Sequence, residues 1–97
     1  MTFNKLTEFD WDEGNFKKNW NKHRITHIES EEIFFNKPLL LFPDAKHSGK
    51  EKRFIALGRS KEGKWLFVSH TIRDEKIRII SSRLQNKKER GIYEKEI

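Results

Sequence analysis

Three apolar runs separated by short polar links dominate the C-terminal half of the chain and constrain its fold most strongly. The runs cover residues 53–58, 65–72 and 77–81, and each is rich in β-branched or aromatic residues. Residues 60–63 and 73–76 connect them with turn-forming residues. Links this short join antiparallel neighbours, because a parallel crossover needs about a dozen residues or more. This half of the chain therefore predicts a three-stranded antiparallel meander.

Two helix start signals lie N-terminal to the meander. Asp12 offers a side-chain acceptor for a first helix that should run to about His23. Thr26 and Glu29 have the spacing of a capping box, which predicts a second helix over residues 28–36. The apolar stripe expected for this second helix consists of Ile28, Phe35, Ile33 and Phe34.

Three further elements complete the expected order. Partial alternation over residues 8–11 favours a short edge strand, the apolar run 39–42 favours a strand, and residues 85–96 favour a C-terminal helix. At 97 residues the chain is expected to form one domain, 1–97. The predicted fold class is α+β, with two N-terminal helices and one C-terminal helix packed on one face of an antiparallel sheet.

Positive charge is concentrated in the meander half. The formal net charge is +6, and residues 50–97 hold 14 Lys and Arg against 7 Asp and Glu, whereas residues 1–49 hold 7 against 8. This asymmetry indicates an acidic partner, with nucleic acid the first candidate because phosphate neutralisation dominates its affinity. A basic surface that only keeps the protein soluble explains the charge about equally well.

The residues that are missing exclude several classes of protein. The chain has no cysteine, so disulfides and thiolate metal sites are excluded. The N-terminus leads into no apolar signal region, and no run approaches transmembrane length. We expect a soluble, cytoplasmic protein that does not associate with membranes.

Four histidines, Asp44, Glu51 and several arginines raise three chemical possibilities. His23 and His27 have the four-residue spacing of a metal pair, but the Thr26 capping box breaks the helix between them, so no metal or other cofactor is expected. Covalent catalysis lacks a cysteine and a nucleophile elbow. The third possibility is RNA cleavage by the ribose 2′-OH, which needs a general acid, a general base and cations that stabilise the transition state.

The residues that suit RNA cleavage divide into two groups. The catalytic candidates are His47 and His70 as the acid/base pair, Arg73 and Arg83 as stabilisers of transition-state charge, and His23 in reserve. The RNA-binding candidates are Lys22, Arg53 and Arg78.

Structural roles compete with some of these assignments. His23 completes the apolar stripe of the first predicted helix. His70 lies on the same face of its predicted strand as apolar residues, which favours burial of its side chain. Unbroken alternation in the last strand places Arg83 on the face of Ile77 and Ile79, with Arg78 on the other face.

Taken together, seven segments resemble the BrnT family of bacterial toxins over about residues 9–94. They are FDWD at 9–12, NWNKH at 19–23, DAKHS at 44–48, EKR at 51–53, IALG at 55–58, HTIR at 70–73 and IRIISSR at 77–83. The resemblance implies a RelE-like α+β fold and a ribonuclease of a type II toxin–antitoxin pair. It also implies a BrnA antitoxin with a ribbon-helix-helix part, so that operator DNA is bound only through the complex.

Two positions depart from the family pattern. Arg24 stands where the family usually has glycine after the first helix, and left-handed backbone geometry is costly for other residues. Ser82 replaces the usual alanine before Arg83. The sequence therefore predicts a metal-independent endoribonuclease toxin that cleaves mRNA and is neutralised by its antitoxin. The alternative is a catalytically silent RNA- or protein-binding module of the same fold.

Overall fold

Four antiparallel strands form one sheet with short helices around it. The computed structural model describes residues 8–17, 20 and 23–97. Its elements, in chain order, are α1 (His27–Glu32), a 3-10 helix (Ile33–Phe35), β1 (Leu40–Pro43), a second 3-10 helix (Ala45–His47), β2 (Arg53–Arg59), β3 (Trp65–Arg73), β4 (Lys76–Leu84) and α2 (Lys87–Glu94). The predicted α+β class and the antiparallel meander are confirmed.

The strands lie in chain order across the sheet, so every neighbouring pair is joined directly. Between β2 and β3 the chain turns with Gly63 at a φ of 88°. Between β3 and β4 only Asp74 and Glu75 intervene, at φ values of 52° and 62°. Two central residues at positive φ are what a type I′ turn requires, and this turn matches the twist of the flanking strands. Neither residue is glycine, so this tight turn contains backbone strain.

A β-bulge interrupts β4 at Ile80. Ser81 pairs with Ser69 and Ile79 pairs with His70, which leaves Ile80 as the extra residue. Because successive side chains point to opposite faces of a sheet, one extra residue reverses the phase of all that follow.

The bulge corrects the predicted placement of Arg83. Unbroken alternation put Arg83 on the face of Ile77 and away from Arg78, and this prediction is wrong. Arg78 pairs with Thr71 and Arg83 pairs with Phe67. Since Phe67 and Thr71 share one face of β3, both arginines lie on that face, which we call the second face.

The opposite face, the core face, carries the hydrophobic core. Ile33 and Phe34 pack there against buried residues of the sheet, among them Leu66 and Val68. Gly58 allows the close approach, because a Cβ atom at this position would lie 2.8 Å from the Cβ of Ile33. The 3-10 helix therefore rests almost directly on the backbone of β2.

The helix that leads into this contact begins at the predicted capping box. The Thr26 hydroxyl accepts from the Glu29 backbone N–H, and the Glu29 carboxylate accepts from the Thr26 N–H, both at 3.0 Å. The predicted stripe is wrong for Ile28 and Phe35, which are 56% and 64% exposed. After Glu32 the chain tightens to about three residues per turn, and this changes which side chains face the sheet.

The C-terminal helix covers one end of the second face. Tyr93 of α2 is fully buried and meets the Trp65 ring edge-on at 5.0 Å. Leu57, which pairs with Phe67, is buried on the same face. The prediction that all helices lie on one face is therefore wrong. The reason is that Trp65, Phe67 and Leu57 make this end of the second face apolar, and α2 shields them from water.

The N-terminal segment runs along the free edge of β4. Phe9 forms a parallel bridge with Ile77, supported by two backbone hydrogen bonds of 2.9 Å. The edge strand predicted over residues 8–11 is thus reduced to one bridge. The helix predicted from Asp12 to His23 falls partly on residues 18, 19, 21 and 22, which lie outside the described residues.

Arg24 adopts a left-handed conformation, with φ at 58°, and its guanidinium lies 5.3 Å from the centre of the Trp20 ring. We expect Arg24→Gly to be more stable than Arg24→Ala by about 1 kcal/mol in urea unfolding, because both variants lose the guanidinium but only glycine relieves the backbone. At Lys88, inside α2, the order should reverse, with alanine more stable than glycine by about 1 kcal/mol. Equal stabilities of the two Arg24 variants would show that the backbone at residue 24 is not strained.

Candidate active site

Three arginines meet at one end of the second face. The register places Arg53, Thr71 and Arg78 side by side on β2, β3 and β4, and Arg73 follows two residues later on β3. We call Arg53, Arg73 and Arg78 the arginine cluster. Together with Thr71 they line a cleft of about 190 Å³, whose other lining residues are Gly14, Asn15, Glu51, Ile79 and Ile80.

Carboxylates hold two of these arginines in place. Arg73 donates from Nε and Nη2 to the two oxygens of Glu51, at 3.0 and 2.8 Å. Arg78 donates from Nη2 to Asp12 Oδ1 at 3.1 Å, and its Nη1 lies 3.5 Å from Asp10 Oδ2. The paired hydrogen bonds of Arg73 fix the plane of its guanidinium as well as its position. Arg78, by contrast, is held by one hydrogen bond and by the nearby charges of Asp10 and Asp12.

These contacts also set the protonation of the carboxyl groups. The hydrogen bond from Arg73 lowers the pKa of Glu51, and the hydrogen bond from Arg78 lowers the pKa of Asp12. Both groups are therefore anionic at neutral pH and are weak proton acceptors. A general base for this cleft has to come from another side chain.

Asn15 ties the N-terminal segment to the cleft. Its side chain is buried, and its Nδ2 donates to the backbone oxygens of Asp10 and Ile79 at 3.0 and 2.9 Å. Its Oδ1 accepts from the Asp12 N–H at 2.8 Å. No site role was predicted for Asn15 or Asp10, and Glu51 was named among the residues that could take part in chemistry without a particular role. The only signal for Asp10 was its place in a segment that resembles the family.

The polar loop before β2 brings His47 close to the start of that strand. The Asp44 N–H donates to the Arg53 carbonyl at 2.9 Å, and the Arg53 N–H donates to the Ser48 hydroxyl at 3.0 Å. Asp44 Oδ2 lies 2.9 Å from His47 Nδ1, and the imidazole is 60% exposed. A carboxylate on Nδ1 orients the ring and leaves Nε2 for proton exchange with a substrate.

His70 lies on the core face, away from the cluster. It is 2% exposed, and the rings of Phe34 and Phe54 lie 5.0 and 5.9 Å from it. Burial lowers the pKa of His70 to about 4, although a hydrogen bond to the Val68 carbonyl at 3.4 Å acts in the opposite direction. The imidazole is therefore neutral at physiological pH and faces apolar neighbours. The structure does not bring His70 together with His47 or Arg73.

Arg83 shares the second face with the cluster but lies further along it. Its register partner Phe67 is four residues before Thr71 on β3, a separation of roughly 14 Å along the strand. It forms a two-bond ion pair with Glu89 of α2 at 2.8 and 2.9 Å. The four catalytic candidates of the meander and its loop thus occupy four separate places, and only Arg73 lies in the cleft.

The two remaining candidates belong to the N-terminal region. His23 is half-buried just before the Arg24 turn. Lys22 lies outside the described residues.

The described part of the chain shows neither a cluster of metal-ligating side chains nor a membrane-spanning helix. No group of three or more His, Asp and Glu side chains among the described residues could hold a metal ion. No helix within those residues is long and apolar enough to span a membrane.

Comparison with known proteins defines the class of this chain. The sequence profile of the family described as "Ribonuclease toxin, BrnT, of type II toxin-antitoxin system" matches residues 11–89, which is most of the chain and includes every residue of the arginine cluster. A search of the curated proteins finds no match. The protein is a ribonuclease toxin of a type II toxin–antitoxin system. It belongs to the BrnT family.

The burial of His70 predicts a dependence of stability on pH. A pKa of about 4 in the folded state and 6.5 in the unfolded state means that the unfolded chain binds more protons between these values. Stability should therefore fall as the pH decreases from 6.5 towards 4, by roughly 2–3 kcal/mol from this group. Urea unfolding of His70→Phe, which keeps a ring among the same neighbours, should show a correspondingly weaker dependence over this range. Parallel profiles for the two proteins would refute the assignment.

Proposed function

We propose that this toxin is a metal-independent endoribonuclease that holds the scissile phosphate of mRNA in the cleft of the arginine cluster and so inhibits translation. The observation that carries the proposal is the convergence of Arg53, Arg73 and Arg78 around one small cleft. Guanidinium groups match the geometry of phosphate oxygens and stay charged at all physiological pH values. Three of them at one phosphate supply the cations that a phosphorane-like transition state requires.

The proposed reaction is an internal transfer. A base removes the proton of the ribose 2′-OH, the 2′ oxygen forms a bond to phosphorus, and the bond from phosphorus to the 5′ oxygen of the next nucleotide breaks. An acid protonates that departing oxygen, so the products are a 2′,3′-cyclic phosphate and a free 5′-OH. Negative charge on the non-bridging oxygens increases in the transition state, where the arginine cluster stabilises it.

For the proton transfers we propose the pair of His47 and Asp44. The pair sits in the loop that is bonded to the backbone of Arg53, and the imidazole is open to solvent. Asp44 would hold the ring in one orientation and stabilise its protonated form. We assign His70 to the core and keep His23 as the reserve candidate for the second proton transfer.

The carboxylates of the cleft fit this role as positioning groups. Glu51 fixes the plane of Arg73 through two hydrogen bonds, and Asp12 holds Arg78 in the cleft through one. A bound phosphate would meet guanidiniums that are already oriented, which reduces the entropy lost on binding.

One observation favours the alternative of a silent binding module. Both Arg73 and Arg78 already have carboxylate partners, so part of the positive charge of the cleft is neutralised. A module that only binds a protein or RNA needs no free cation at a reacting phosphate. Activity measurements on the variants below distinguish the two functions.

The deciding experiment is cleavage of a long mRNA by the purified toxin in excess EDTA. We expect cleavage to persist and the new 3′ ends to carry 2′,3′-cyclic phosphate, as attack by the 2′-OH requires. Arg73→Ala should slow cleavage roughly 100-fold or more, in line with the loss of an electrostatic stabiliser. Arg90→Ala serves as the matched control, because Arg90 lies on the exposed surface of α2, and it should have a far smaller effect.

Loss of cleavage on chelation, with rescue by a divalent ion, would refute the metal-independent mechanism. Equal small effects of Arg73→Ala and Arg90→Ala would show that the arginine cluster only binds RNA. No cleavage by the folded wild type, with or without a divalent ion, would support the silent module. His47→Ala in the same assay tests the proposed proton transfer, which typically contributes about 10²- to 10⁴-fold. A folded His47→Ala protein that cleaves at the full rate would remove His47 from the mechanism.

A type II toxin has an antitoxin partner, and we propose that here it is a BrnA-like ribbon-helix-helix protein. An acidic or amphipathic segment laid across the arginine cluster would match the charge of residues 50–97 and block the cleft. Operator DNA would then be bound by the complex through the antitoxin and not by this chain.

Co-purification with the product of the adjacent gene tests the partnership. We expect one complex on gel filtration, and DNA-shift activity only when both proteins are present. Arg53→Glu should weaken the complex more than Lys17→Glu, because only Arg53 lies in the cleft. Specific operator binding by the toxin alone, or no complex at all, would contradict the proposal.

A further inference from the structure

Arg83 has an unusual environment for a surface arginine, because the edge formed by its two terminal nitrogens is occupied and one face is covered. Its Nη1 donates to Glu89 Oε1 and to the Leu84 carbonyl at 2.8 and 3.1 Å, and its Nη2 donates to Glu89 Oε2 at 2.9 Å. The carbon at the centre of the guanidinium lies 3.9 Å from the centre of the Phe67 ring, which is a stacking distance. The side chain is nevertheless 35% exposed.

These contacts determine what kind of group Arg83 can receive. Its two terminal nitrogens form a fork with Glu89, as Arg73 forms one with Glu51, so the ion pair alone does not set Arg83 apart. What sets it apart is the Phe67 ring stacked on the guanidinium. The charge of Arg83 is matched by the Glu89 carboxylate. The guanidinium has two faces, and Phe67 covers one of them. A flat ring that approaches the other face is the ligand that this geometry fits best.

The position of Arg83 relative to the cleft indicates which flat ring this is. Arg83 lies on the same face as the arginine cluster, roughly 14 Å along the strands. Between them the sheet carries the small side chains of Ser69 and Ser81, which form a register pair. An extended strand of about two to three nucleotides covers such a distance.

We propose that Arg83 is a base-stacking platform for single-stranded RNA, and not a group that stabilises transition-state charge as the sequence alone suggested. A strand whose phosphate occupies the arginine cluster runs across the two serines and places one nucleobase on the face of the guanidinium opposite Phe67. Arginine planes and aromatic rings are the surfaces on which proteins stack unpaired bases. The inference rests on the proposed function only in that the cluster holds an RNA phosphate.

The test uses a five-nucleotide 2′-O-methyl RNA, which cannot undergo 2′-OH attack, with 2-aminopurine placed at each position in turn. The fluorescence of this base is quenched when it stacks. With saturating toxin we expect strong quenching at one position, and an abasic residue at that position should weaken binding roughly tenfold. Arg83→Lys keeps the charge opposite Glu89 but removes the plane, so it should lose both effects. Arg90→Lys is the matched control and should keep them.

The outcomes separate this inference from the proposed function. Arg73→Ala should weaken binding yet keep the quenching once the complex is saturated. Quenching at no position, or equal quenching with Arg83→Lys, would overturn the platform even if the wild type cleaves mRNA. Quenching without any cleavage of unmodified RNA would support the platform and refute the nuclease. If Arg83→Lys does not fold, crosslinking of 4-thiouridine RNA to the wild type decides, since the proposal requires attachment beside residue 83 and is overturned by attachment elsewhere.

Discussion

The β-bulge at Ile80 is the constraint that puts the basic side chains at both ends of β4 on one face of the sheet. Without the extra residue, Arg83 would point into the core face, where a charged side chain without a partner costs several kcal/mol. With it, Arg83 joins Arg78 on the second face and reaches both Phe67 and Glu89. The ion pair of Arg83 with Glu89 also links β4 to α2. One inserted residue therefore positions Arg83 and helps to dock the C-terminal helix.

The arginine cluster raises a second physical problem, which is the repulsion of like charges in a small space. The chain answers it with carboxylates from two distant segments, Glu51 from the loop before β2 and Asp12 from the N-terminus. Asn15 secures the N-terminal contribution by bonding to the backbone of β4. A ribonuclease and a binding module would both benefit from such an arrangement, which is why rate measurements carry more weight here than binding measurements.

How far the sequence predicted this structure depends on the range of the interactions involved. The meander strands and the Thr26 capping box follow from local signals, and they were predicted closely. The face on which Arg83 lies was predicted wrongly because the bulge arises from the pairing of β4 with β3. The order of apolar and polar residues along β4 does not reveal it. The face on which α2 packs was predicted wrongly for a related reason. The alternation of side chains along a strand does not show which face of the sheet still exposes apolar residues that a helix can bury.

The candidate site was predictable only in part. Arg73, Arg53 and Arg78, which were predicted as catalytic or RNA-binding residues, lie in one cleft, and their roles stay predictions. The predicted acid/base pair joined His47, which is exposed in a loop, with His70, which is buried on the core face. The alternation along β3 had favoured burial of His70, but it does not show where the loop of His47 lies. The contribution of Asn15 depends on a hydrogen bond between residues 64 positions apart, which no local pattern encodes.

The ion pairs inside the cleft have a consequence for thermodynamics. Binding of a polyanion to free basic side chains is driven largely by the release of condensed counterions, and it weakens steeply with added salt. Here Arg73 and Arg78 are already partly neutralised by carboxylates of their own chain, so each of them neutralises less of an entering phosphate and releases fewer counterions. The logarithm of the affinity should then fall with the logarithm of the salt concentration less steeply than three free arginines would imply. RNA binding at this cleft would therefore persist at ionic strengths at which RNA dissociates from a surface of unpaired basic side chains.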